Sequence, residues 1–173
     1  MPFALSFFAM ALLFCTRPVS AAVDHDLWST LLTRYVDDNG RVAYRDLRAR
    51  DKAAFDQYLA TLAQARTEGM SEAEEKAFWI NAYNAVIISG VLQGYTAESL
   101  LGRKRLFSWF TAKVAGQDRT PDEIEHQILR KKFHDPRIHF VAVEKQAMLN
   151  RSDSELRYLE YDWTLNAQEG QRV

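Results

Sequence analysis

An α+β fold in a single domain, helix-rich in its N-terminal half with a small sheet from its C-terminal half, is predicted by three observations. Apolar residues recur at helical spacing along most of 25–93. Two Ser/Thr-x-x-Glu signatures, Ser71–Glu74 and Thr120–Glu123, mark helix starts. The clearest β-like runs fall late in the chain, around 113–118, 138–143 and 156–161. Composition agrees with one globular unit. The 173 residues are 47% apolar and 26% charged, and 10 Phe, 7 Tyr and 4 Trp supply apolar surface for a core. Seven Gly, four Pro and one Cys exclude collagen-like and disulfide-dense classes. Lys and Arg number 22 against 23 Asp and Glu, a net charge of −1, so no global field favours nucleic acid.

Residues 1–21 read as a signal peptide. Phe3 to Cys15 is apolar apart from Ser6, too short to cross a membrane, and Val19-Ser20-Ala21-Ala22 follows as a small-residue cleavage site. A buried N-terminal helix and a lipid-modified Cys15 are the alternatives, and the bulky Leu13-Phe14 pair disfavours the second. Cleavage predicts a periplasmic or secreted protein with no transmembrane segment, comprising 22–173. It would remove Arg17 and the only cysteine, leaving 21 basic against 23 acidic residues and no thiol for a disulfide or a nucleophile.

Leu27, Trp28, Leu31, Leu32, Tyr35 and Val36 predict a first helix over 25–37, ended by Asp38-Asn39-Gly40. Val42 and Tyr44 predict a short extended piece. Phe55, Leu59, Leu62 and Ala63 lie on one face of a helix over 51–66. The Ser71 capping box opens the longest helix, 72–93, with Phe78, Ala82, Ala85, Val86, Ser89 and Leu92 on one stripe and Gly94 as its stop. Phe78 is expected to be costlier to remove than Trp79, which lies off that stripe. The amides of Asn81 and Asn84, with Tyr83, need hydrogen-bond partners if buried and are expected to lock neighbouring backbone.

Arg103-Lys104-Arg105 reads as a solvated turn beside the aromatic run 106–110, with a nucleic-acid or membrane contact as the alternative. Gly116-Gln117-Asp118 reads as a hairpin turn, and Thr120 with Pro121 at N1 opens a short helix to about Lys131. Asp135-Pro136 is expected to break the chain, and Ile138 to Val143 reads as a buried strand, with a further β-like piece at Leu156 to Tyr161.

Chemistry-bearing residues concentrate late. His126, His134 and His139 match no strong zinc spacing, HExxH is absent, and no pattern for a metal site or a cofactor is present. The candidate catalytic residues are His126, His139 and Glu125, since a carboxylate beside a histidine can orient the ring and stabilise its cation. Adjacent helical residues point about 100° apart, however, so Glu125 and His126 are not expected to face each other. There is no Gly-rich phosphate loop and no G-x-S-x-G elbow.

Several phrases resemble the family called domain of unknown function 547 (DUF547). These are Ala77 to Ala85 (AFWINAYNA), Asp122 to Arg130 (DEIEHQILR), Phe133 to Phe140 (FHDPRIHF) and Tyr161 to Asn166 (YDWTLN), with Gly40 to Tyr44 fitting the early part. In that family the His-Phe strand runs into a segment resembling Cys-Ala-Ser-x-x-Cys-Pro. Here Glu144 stands where the first cysteine would fall, and residues 144–157 bridge directly to the ending. The resemblance therefore implies an internally deleted member, incomplete after residue 143. Its His and Cys motifs suggest a thiol hydrolase or transferase, a chemistry this chain would lack. It implies a binding or degenerate protein, or an enzyme using histidine–carboxylate chemistry alone. With 138–143 left without its usual neighbour, self-association is the expected consequence.

Overall fold

The computed structural model describes residues 23–37 and 40–134 as one α+β domain, helix-rich, with a two-stranded antiparallel sheet. The leader, the strand predicted over 138–143, the connector 144–157 and the tail lie outside the described residues.

Helix α1 (Asp26–Tyr35) starts where the Asp24 carboxylate accepts from the Asp26 amide. It buries Trp28, Leu31 and Tyr35, and Trp28 stacks on Tyr58 at 5.0 Å between ring centroids. A turn through Gly40, at φ +71°, brings Val42 back to bridge Val36. The extended piece expected at 42–44 stops there, because α2 (Tyr44–Arg50) begins at once and buries only Leu47. α3 (Lys52–Gln64) buries Phe55, Tyr58 and Leu62. Asp51, between α2 and α3, accepts from the Arg34 guanidinium and the Tyr35 hydroxyl, tying α1 to that junction.

α4 (Glu72–Leu92) is the axis of the fold. The Ser71 hydroxyl accepts from the Glu74 amide while Glu74 accepts from the Ser71 amide, a complete capping box. At the other end Arg48 donates to the Leu92 carbonyl, satisfying an orphan acceptor. The expectation of a single buried stripe is corrected here. Phe78, Trp79 and Ile80 are all buried, and so is every residue from Ala82 to Gly90. A helix apolar on all sides is stable only when surrounded, and α4 is packed by α2, α3 and both later helices.

Arg103-Lys104-Arg105 is likewise helical rather than a turn. The helix Leu100–Lys104 runs on into a π turn, Arg105–Trp109, and the two together are α5. α5 crosses α4 at Gly90, where an added Cβ would stand 2.5 Å from Leu106 Cδ1 and 3.2 Å from Phe110 Cδ1. Glycine permits that approach without a shift of Leu106 or Phe110.

The hairpin forms as the turn chemistry predicts, with β1 (Ala112–Val114) paired to β2 (Gln117–Arg119). Its turn residues Ala115 and Gly116 donate to the Leu62 and Ala63 carbonyls, capping the C-terminal end of α3. Thr120 then closes a second capping box with Glu123, and Pro121 is buried at N1. The last helix among the described residues, α6, comprises Pro121–Glu123, a π turn Ile124–Leu129 and Arg130–Phe133, and ends at His134 in the left-handed region.

Candidate functional site

The π turn in α6 sets the geometry around the predicted pair. Ile124, Glu125 and Leu129 are buried. A spacing of five between Ile124 and Leu129 suits i→i+5 winding, not the 3.6-residue period. The wider turn carries Glu125 into the core, where it is fully buried, while His126 stays half exposed.

Buried carboxylates need partners, and Glu125 has them. Oε1 accepts from Arg130 Nη2 at 2.9 Å and Nε at 3.1 Å, and the Tyr83 hydroxyl reaches Oε2 from α4 at 3.5 Å. Burial, together with the Glu125 charge, pushes the Tyr83 phenol well above its ordinary range, so it stays a protonated donor. His126 Nε2 lies 3.9 Å from Glu125 Oε1. The two side chains diverge, Glu125 into the core and His126 toward solvent, and their approach is too long for a hydrogen bond. His139 lies outside the described residues, and His134 is exposed at the end of α6.

Asp122, one turn back, accepts from the Ser108 hydroxyl, so the π turn of α5 meets the first turn of α6 beside this cluster. Asp122, Glu125 and His126 each bring one ligand atom within 4.8 Å of the others. A cation fits that spacing, but the Arg130 guanidinium already supplies positive charge to Glu125, which opposes a second cation there.

Arg130 and Tyr83 are the members of the cluster that the sequence did not single out for it. Arg130 stands five residues from Glu125, beyond the i+4 reach of an ordinary helix face, and Tyr83 meets it across 42 positions. Of the neighbouring amides, Asn84 locks nearby backbone as expected and Asn81 does not, since its partner is a distant side chain. Asn84 donates to the Ile80 carbonyl at 2.9 Å, and Asn81 accepts from Trp28 Nε1 at 3.2 Å, pinning α1 to α4.

A second buried carboxylate, Glu75, lies on α4 and is paired with the half-exposed Lys132. Glu75 accepts from Trp79 Nε1 at 3.3 Å and from Lys132 of α6, while the Arg119 guanidinium stands 5.3 Å over the Trp79 ring. Both buried carboxylates thus fasten α6 to the central helix. No helix among the described residues is long and apolar enough to cross a membrane.

The family model described as protein of unknown function, DUF547, matches residues 67–162, more than half of the chain. The match takes in α4, α5, the hairpin and α6, and so the whole Glu125 cluster. No curated protein and no solved structure matches.

Proposed function

The chain belongs to the family described as protein of unknown function DUF547, and on that footing we propose that it is an exported, non-catalytic binding member. The observation that carries this reading is the commitment of Glu125. Its carboxylate is buried and held by Arg130 and Tyr83, so it anchors α6 to α4 instead of serving a proton-shuttling histidine. No cysteine follows Cys15, so residues 22–173 offer no thiolate nucleophile. The leader composition supports export.

The test is turnover of ester, thioester and amide probes by the full chain. The reading expects no rate above that of His126→Ala. Intact mass of the exported protein is expected to place its start at Ala22 or Val23, and soluble exported protein retaining Met1 to Ala21 would contradict processing. The apolar run 138–143, followed by six charged residues within 144–157, supports self-association, read by sedimentation velocity across concentration.

The proximity of Asp122, Glu125 and His126 favours a second reading, a hydrolase or transferase using histidine–carboxylate acid–base chemistry. Turnover that is lost in His126→Ala with an unchanged thermal midpoint would establish it over the first.

A further inference from the structure

Among the described residues the exposed large hydrophobic side chains are Leu100, Leu101 and Trp109, at 80%, 54% and 54% exposure, and all three belong to α5. The same ten-residue element carries Arg103, Lys104 and Arg105 and no acid. Leu106, Phe107 and Phe110 are buried against the fold, while Leu101, Lys104, Arg105, Ser108 and Trp109 are exposed at the i, i+3, i+4, i+7 and i+8 positions of the opposite face. None of the three cations forms an ion pair among the described residues. Lys104 Nζ stands 5.5 Å over the Trp109 ring, and the nearby Asp122 is engaged by Ser108. Beside this face opens a cleft of about 530 Å³ in which Arg105 is the one charged lining residue, with Thr96, Ser99 and Trp109 among its walls.

We propose that α5 is a docking surface for an anionic lipid bilayer, with Leu100, Leu101 and Trp109 entering the interface and Lys104 and Arg105 meeting the phosphate headgroups. Apolar and cationic side chains on one exposed helical face are what interfacial binding uses, and Trp favours the headgroup level. A nucleic acid would use the cations but has no place for two exposed leucines. The polar cleft at Arg105 seats a headgroup phosphate next to the apolar rim.

The experiment uses the full chain with vesicles of phosphatidylcholine, alone or mixed with phosphatidylglycerol, in sedimentation and with brominated acyl chains. The leader run is common to every variant, so the decisive signal is the part of the emission that Trp109→Phe removes. Expected are co-sedimentation with the anionic vesicles only, weakened by salt, and quenching of the Trp109 emission. Replacing Lys104 and Arg105 by Gln is expected to weaken partitioning about fivefold for each charge. Leu100→Ser with Leu101→Ser is expected to abolish quenching with an unchanged melt. Absence of binding to anionic vesicles, sedimentation without Trp109 quenching, or unchanged partitioning of the Gln variants would each overturn the proposal. So would binding of DNA or an acidic peptide in place of vesicles.

Discussion

Arg130 places both Nε and Nη2 on a single oxygen of Glu125, five residues earlier in the same helix, at 3.1 and 2.9 Å. The π turn between them makes this possible, since it points Glu125 inward and brings Arg130 round over it. The guanidinium stays about one-third exposed while the carboxylate is dry.

Removing the cation therefore leaves an uncompensated buried charge. Arg130→Met is expected to destabilise by about 3–5 kcal/mol, and pairing it with Glu125→Gln is expected to recover a substantial part. Urea denaturation of the four species in a double-mutant cycle measures the coupling.

Trp79→Ala is expected to cost as much as Phe78→Ala, about 3–5 kcal/mol each. Both rings are buried, and they meet edge to face at 5.1 Å. Trp79 also donates to Glu75 and lies under Arg119, contacts that a truncation would strip away. Denaturation midpoints compared at equal slope decide whether the two match.

Gly90 is predicted to reverse sign with its neighbour. In the native background the Cβ of Gly90→Ala would stand 2.5 Å from Leu106 Cδ1, and overpacking costs about 1–3 kcal/mol. Once Leu106→Ala opens the space, Gly90→Ala is expected to stabilise relative to Leu106→Ala alone by up to about 1 kcal/mol, through helix propensity. Thermal melts of the single and double variants measure this.

His25 is predicted to make stability fall on mild acidification. Its ring is hydrogen-bonded to the Tyr58 hydroxyl at 2.8 Å, and burial holds its pKa below 6.5 against a smaller opposing pull from Asp24. The unfolded chain thus takes up the proton first. The stabilisation is complete above pH 6.5 and declines as pH falls from there through the lower folded-state value. Melting temperatures at pH 7.5 and 5.5 are expected to differ less in His25→Gln than in the native chain.

The features legible in the sequence are those whose partners lie within a few residues. Ser71 with Glu74, and Thr120 with Glu123, form the capping boxes their spacing predicts, because both hydrogen bonds close over three positions. The Gly116 turn follows for the same reason, whereas the C-terminal ends of α3 and α4 are met by distant groups, the Ala115 and Gly116 amides and the Arg48 guanidinium. α2 was illegible because one buried residue, Leu47, leaves no periodicity to read. α5 was illegible because its apolar residues divide between the core and the exposed face, as Leu106 and Leu101 do. Tertiary packing alone decided the rest. It is the surrounding helices that let α4 bury all its sides, and the depth of Glu125 that makes Arg130 and Tyr83 its obligatory partners. A charge removed from water must be met by whatever donors the fold brings to it, and those lie beyond the reach of any local pattern.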